Sequence, residues 1–412
     1  MRCLRIALVL VMACGCSGAI SSGGGRGGGG KADGEFADGG VVDRLHLQMN
    51  DLSILFPLAN SDHEFSAYLQ AASPGLGGDL LPEALFAAVD SRGIVYANLR
   101  VVSFRLDPCF ANVGPIVDPS TCQNQLRVIF QPLTFANGTT TTDDSAVHAF
   151  YSLTRDQLVA AVREIAAARR ESSGDEDLGP LSIHPVVAQQ GLDGPMGASL
   201  EAIITKYAGA SNLIRFTLMD SASVFGPIGN GEQRFWNFNG FDVVGGVATP
   251  MIIPTLGSDD TEVNFETMAT DPLIATLSPP TTSTDDLHLL ANATQARQAT
   301  THEQQAALDA ALRIENPNFH SPNNIDCSSC HTAQAGRQLV AENVLGLTVA
   351  GNPNAFVADP SIPSGDAVTT TMVNNPMLNL HAFSYRNTSP MINQRVVNET
   401  AVNLAYLATL DP

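Results

Sequence analysis

Two thiols and an imidazole stand at Cys327-Ser328-Ser329-Cys330-His331, and their spacing, C-x-x-C-H, suits covalent attachment of a haem. Two cysteines can add across the two vinyl groups of one porphyrin, and a histidine directly after them is held where a ring nitrogen reaches the iron. The same residues could instead form a C-x-x-C disulfide or half of a zinc site. Zinc would want a second pair of ligands, and the only other closely spaced cysteines, Cys3, Cys14 and Cys16, lie near the N-terminus. A thioredoxin-like redox pair would need a surrounding βαβ pattern that the sequence lacks.

The pentapeptide resembles the haem-binding signature of c-type cytochromes. That resemblance implies one covalent haem c, with Cys327 and Cys330 as thioether anchors and His331 as the proximal iron ligand. It also implies a distal ligand, usually a methionine in a loop just before the last helix. Ser389-Pro390-Met391 stands there, so Met391 is the expected ligand, with Met377, Met372, His381 or an open iron as alternatives. A gap-filling core methionine is the plain structural alternative for Met391. A thioether ligand would favour ferrous iron and raise the potential. Two features depart from the family pattern: proline precedes the methionine instead of following it, and no Gly-Pro pair stands at the usual distance after the motif.

The elements that must position this chemistry can be read on both sides of it. Thr301-x-x-Gln304 reads as a capping box, and Ala307, Leu308, Ala311 and Leu312 give an apolar stripe on a helix that stops at Asn316-Pro317. Towards the end, Val397, Ala401, Leu404 and Ala408 recur at helical spacing. The segment from Glu399 to Leu410 resembles the closing helix of class I cytochromes c. Residues 296–412 are therefore expected to form a small all-α cytochrome c-like domain, and the resemblance covers only this part.

Residues 42–295 read as a mixed domain, giving an α+β unit followed by the all-α one. Leu45 to Leu58 alternates like a strand, Phe65 to Ala72 and Pro82 to Val89 look like short helices, and Ala146 to Tyr151 is strand-like. Thr154-x-x-Gln157 is a capping box opening a helix to about Arg170, with Leu158, Val162, Ile165 and Ala166 as its apolar face. Ala198 to Tyr207 looks helical, Leu213 to Met219 reads as a strand, and Gly231 to Thr255 is strand-rich. Cys109 and Cys122 bracket a turn-rich link between the alternating segments Val101 to Leu106 and Leu126 to Phe130. A disulfide between them would staple a hairpin, worth about 3 kcal/mol in the chain-entropy model. Phe235, Trp236 and Phe238 could line a ligand pocket or lie against the haem domain, but core packing is the preferred reading because aromatics dominate core burial. His46, His63, His148, His184 and His288 are scattered without ligand spacing. There is no nucleophile elbow, zinc-protease helix or dinucleotide fingerprint, so this domain declares no enzymatic activity.

The first residues set the compartment. Met1 to Arg5 is basic, and Ile6 to Ala13 is an apolar run too short to span a bilayer. Val11-Met12-Ala13-Cys14 resembles the lipobox of bacterial lipoproteins, which implies lipid attachment at Cys14, with Cys16 as a second choice and an ordinary cleaved signal as the alternative. Residues 1–16 are then a signal peptide, and 17–41, rich in Gly and Ser, a flexible tether. Within the tether, Gly25 to Lys31 nearly spells a phosphate-binding loop, but Ala32 replaces the metal-holding hydroxyl and no strand precedes it.

With 41 acidic against 21 basic residues the formal charge is −20, which argues against nucleic-acid partners. The expectation is a lipoprotein of a Gram-negative cell envelope, periplasmic or on the outer membrane, that carries single electrons to an unidentified redox protein partner. A single C-x-x-C-H weighs against a dihaem peroxidase. The alternatives are an enzyme or haem-based sensor in which the haem serves the N-terminal domain, and an envelope binding lipoprotein with accessory haem.

Overall fold

In a computed structural model of the chain, the described residues are 46–89, 94–110, 123–143, 145–174, 176–223, 234–251, 260–264, 293–312, 317, 331, 340–347 and 382–409. Cys14, the tether, Cys122, His288, Cys327, Cys330, Met372, Met377 and His381 lie outside them.

The central feature is an antiparallel sheet. Its strands are β1 (Ser53–Leu55), β4 (Leu99–Phe110), β5 (Gln123–Ala136), β7 (Ser145–Ser152), β8 (Leu213–Ser223), β9 (Arg234–Val244) and β10 (Val247–Pro250), hydrogen-bonded in that order. The short strand β6 (Thr139–Thr142) adds to β5, and β11 (Asp260–Asn264) to β9. Two short strands, β2 (Pro74–Gly75) and β3 (Gly78–Asp79), form a separate ribbon. The β4–β5 hairpin is the one the alternation predicts, with Val101 opposite Phe130 and Leu106 opposite Leu126. Tight connections follow from residues that accept positive φ: Asn137 and Gly138 (φ 54 and 76) link β5 to β6, and Gly245 and Gly246 (φ 60 and 78) link β9 to β10.

Alternation along β4 and β5 gives the sheet two unlike faces. Val102, Phe104, Leu106, Leu126, Val128 and Phe130 are fully buried. They belong to the apolar core shared with α4 (Arg155–Ser173), α5 (Pro185–Gln190) and α6 (Pro195–Tyr207). The capping box of α4 is formed as its sequence requires: Gln157 N–H donates to Thr154 Oγ1 at 3.2 Å, and Thr154 N–H to Gln157 Oε1 at 2.8 Å. Leu158, Val162, Ile165 and Ala166 are buried.

The other face carries Ser103, Arg105, Asp107 and Gln131, all buried, and such groups need partners. The last described segment supplies them: the hairpin β12 (Phe383–Arg386) and β13 (Ser389–Ile392), and the helix that closes the chain, Gln394–Thr409. Ser103 Oγ donates to the Phe383 carbonyl at 2.7 Å. Gln131 Nε2 donates to the Tyr385 carbonyl at 2.9 Å, and Tyr385 N–H to Gln131 Oε1 at 2.8 Å. Tyr385 Oη donates to the Phe56 carbonyl, and the Ser53 and Thr400 hydroxyls share a hydrogen bond at 2.7 Å. Arg105 pairs with both Asp107 and Glu399.

These contacts correct the expected fold class. The end of the chain does not make the closing element of a small all-α cytochrome c-like domain. It makes a β-hairpin and a helix that complete the polar face of the sheet. The architecture is α+β, and Arg44–Pro412 is one compact unit. Among the described residues the other helices are α1 (Met49–Leu52), α2 (Asp62–Ala67), α3 (Glu83–Ala87), α7 (Ala293–Gln298) and α8 (Thr301–Leu312), with single tight and wide helical turns at Tyr96–Asn98 and Val340–Leu345, and the closing helix is α9. Among the described residues no helix is long and apolar enough to cross a membrane.

Candidate functional site

His331 lies in a pocket on the polar side of the sheet. Three adjacent strands build the pocket wall. In the register, Ala146 of β7 faces Met219 of β8, which faces Phe238 of β9, and His148 faces Thr217, which faces Gly240. Directly paired residues point to the same side, so Ala146, His148, Thr217, Met219 and Phe238 share one surface, and the five side chains line the pocket. Ala382 and Ser384, from the start of the C-terminal hairpin, line it from the opposite direction.

The His331 ring is tilted over this wall. Its centre is 5.1 Å from that of Phe238, with 38° between the planes, and 6.4 Å from that of His148, with 57° between them. His148 and His331 are both half-buried, and Phe238 and Met219 are buried. Gly240 lets Met251 and Thr217 pack closely beside this wall: a Cβ there would come within 2.8 Å of Met251 Sδ and 3.2 Å of Thr217 Cγ2.

Further along the same face runs a buried charged cluster. Arg105 Nε is 2.6 Å from Asp107 Oδ1, Arg127 reaches Asp107 Oδ2 at 3.1 Å, and Arg395 Nε donates to Glu399 Oε1 at 2.6 Å. Asn403 Nδ2 donates to Asp107 Oδ1 at 2.9 Å. Burial alone would raise the Glu399 pKa, but Arg105, Arg395 and Arg127 outweigh it and hold the carboxyl below the usual range. Burial likewise acts to lower the Arg105 pKa, yet Asp107 and Glu399 raise it above the ordinary arginine value. At Arg127, burial and the neighbouring Arg105 lower the pKa. The Arg127 guanidinium lies 4.9 Å from the Phe150 ring centre, and Phe150 is two positions beyond His148 on β7.

The residues singled out by the sequence are distributed as follows. His331 is in the pocket, whereas the two thiols beside it are outside the described residues. Met391 is buried on β13, opposite Ser384 across the hairpin. It sits in a strand rather than a loop, on the side of the hairpin that Ser384 presents to the pocket. Cys109 is the penultimate residue of β4 and is disulfide-bonded, while Cys122, its expected partner, is outside the described residues. His63 is exposed and 2.6 Å from Asp193. His184 caps α5, accepting the Val187 N–H at Nδ1 over 3.3 Å, and burial lowers its pKa to about 4.

His148 was not recognisable as a site residue, because nothing near it in sequence shares its chemistry. The only signal is an imidazole in the middle of a strand between Val147 and Ala149, on the face that also carries Ala146. Met219 was missed for the same reason. His331, His148 and Met219 line one small pocket together with Phe238, Leu218, Thr217, Ala146, Ala382 and Ser384. Among the described residues no three His, Cys, Asp or Glu side chains cluster as a metal site. Comparison with protein-family models, with curated proteins and with solved structures gives no match.

Proposed function

We propose that the protein is an exported c-type haem protein that carries single electrons in the cell envelope. One haem is attached through Cys327 and Cys330, its iron is bound by His331, and a lipid on Cys14 tethers the protein to the membrane. The observation that carries this reading is the Cys327-Ser328-Ser329-Cys330-His331 motif together with the position of its histidine: His331 lies in a pocket walled by Phe238, Met219 and Ala146. A bound haem supplies one-electron oxidation and reduction at its iron.

The chain's own residues contribute the surroundings. The three-strand wall provides a rigid surface, since β7, β8 and β9 are hydrogen-bonded along most of their length. Apolar walls around a haem lower the local dielectric, and this affects the potential. The hairpin carrying Ala382 and Ser384 closes the pocket from the far side and is fixed to the sheet through Ser103 and Gln131.

The test is expression of the full chain in cells that mature c-type cytochromes. The expected product has a haem that resists extraction with acidified acetone and is lost from the chain when both Cys327 and Cys330 are replaced by Ala. A product whose haem is fully extracted, or that carries none, contradicts the proposal.

A further inference from the structure

The irregular strap of residues 176–184, between α4 and α5, is fastened to the α1 turn by two amide side chains. Gln48 Nε2 donates to the Glu176 carbonyl at 2.9 Å, and Leu178 N–H donates to Gln48 Oε1 at 2.6 Å. Asn50 Nδ2 donates to the Pro180 carbonyl at 2.9 Å, and Ser182 N–H to Asn50 Oδ1 at 3.1 Å. Among the described residues the strap's only strand-like pairing is a single bridge between Ile183 and Leu55. Leu178 and Leu181 seat it in the core. None of these groups titrates.

The far end is pinned differently. His184 N–H donates to the Leu55 carbonyl at 2.8 Å, and its ring is fully buried. Nδ1 accepts the Val187 N–H over 3.3 Å and caps α5. An accepting Nδ1 places the proton of the neutral ring on Nε2, which has no hydrogen-bond partner among the described residues. A second proton can go only to Nδ1, where it turns the acceptor into a donor facing another N–H. We propose that His184 is an acid-released pin, whose protonation breaks the α5 cap and detaches residues 176–190 from the core while the rest of the fold stays closed. This device is separate from the haem reading.

The charges around the ring act in one direction. Burial lowers the His184 pKa to about 4, and Arg169 of α4 lowers it further. Asp51 of α1 lies 3.0 Å from Arg169 and takes up a proton near pH 6, after which the Arg169 charge acts on the ring without its counter-ion. That pair joins α1 to α4, so detaching the strap does not separate it. The α5 helix carries no charged residue, and Glu176 and Asp177 of the strap are exposed. On α6, Lys206 is exposed and held by Glu164, while Glu201 responds to burial alone. A detached ring takes up its proton near the ordinary value of about 6.5. The pinned state therefore holds its full advantage above about pH 6.5 and loses it as pH falls towards 4, by about tenfold in the ratio of pinned to detached chain for each pH unit.

The test is hydrogen–deuterium exchange of the full-length protein at pH 7 and pH 5, corrected for the intrinsic rate at each pH and resolved by peptide. Protection of residues 176–190 is expected to fall about tenfold or more at pH 5, whereas α4 keeps its protection. His184→Asn supplies an oxygen that can accept the Val187 N–H and does not titrate, so its strap should be equally protected at both pH values. His184→Ala has no acceptor and should be less protected at both. Unchanged protection of 176–190 at pH 5, a loss shared equally by α4, or an acid loss that persists in His184→Asn overturns the proposal. Should His184→Asn fail to fold, judged by far-ultraviolet circular dichroism, the comparison of 176–190 with α4 in the unaltered protein decides.

Discussion

Two buried ion pairs of opposite pH behaviour show how individual residues set the stability of this fold. Asp51 and Arg169 are both fully buried, with Arg169 Nε 3.0 Å from Asp51 Oδ1. Burial raises the Asp51 pKa to about 6 in spite of the guanidinium. Because this folded-state value lies above the unfolded one, the contribution of Asp51 is greatest below about pH 4 and is lost as pH rises through 6. Replacing Arg169 by Met strands a buried carboxylate at pH 7 and is expected to cost about 3–5 kcal/mol. At pH 5, where Asp51 takes up a proton, the cost should shrink, and urea unfolding at the two pH values checks this. Glu399 behaves in the reverse sense. Its pKa is held below the usual range by three arginines against the effect of burial, so its contribution is present above about pH 4.5 and is lost on acidification. Glu399→Gln leaves Arg105 short of a countercharge. It should destabilise by about 3–5 kcal/mol at pH 7 and flatten the acid limb of the stability curve. An equal loss at pH 7 and pH 3 would contradict the assignment.

At the scale of elements, α4 is the clearest case of sequence determining structure. Thr154→Ala removes an acceptor that Gln157 N–H uses and should cost about 1 kcal/mol, read from a shifted denaturation midpoint with unchanged slope. This helix, the β4–β5 hairpin, α6 and β8 were legible because their signals are local: a cap, a period, a turn. Shorter elements were less so. Leu45, Leu47 and Met49 alternate, yet Met49–Leu52 is one helical turn, because Asp51 Oδ2 accepts the Gln48 N–H at 2.7 Å and holds the chain there. At α8 the cap is Thr300 with Glu303, one position before the expected box. The Glu303 carboxylate accepts from both Thr300 N–H and Oγ1 at 2.8 Å, where an amide would accept more weakly. The closing helix begins at Gln394, ahead of the expected Glu399, since Asn393 Oδ1 accepts the Val396 N–H at 3.0 Å. What local pattern could not reveal was where this helix packs. An apolar stripe of Val397, Ala401 and Leu404 fits a cytochrome helix and a sheet cover equally well. The deciding residues, Thr400, Glu399 and Asn403, find their partners on strands about 300 positions earlier. The site followed the same rule: His331 came from a five-residue motif, whereas His148 required the register of three strands.

For the whole molecule, the dependence of the sheet's polar face on the C-terminal segment has a direct consequence. A chain ending at residue 381 would leave Arg105, Gln131 and Ser103 without the partners that residues 383–403 provide. It is expected to be insoluble or to bind a hydrophobic dye, and residues 44–412 should unfold in a single cooperative transition. Two well-separated transitions with coincident near-native circular dichroism in the truncated chain would contradict this. The formal charge of −20 favours a basic partner, so electron transfer from the proposed haem to a cationic acceptor should slow as salt is raised. The central claim is that this α+β fold holds a covalent haem beside His331. It is tested most directly by a pyridine haemochrome assay on the denatured, exported full-length protein. A c-type haemochrome at one haem per chain, abolished in the Cys327→Ala, Cys330→Ala double variant, is the predicted result. A chain that emerges haem-free from cells able to mature c-type cytochromes would contradict it.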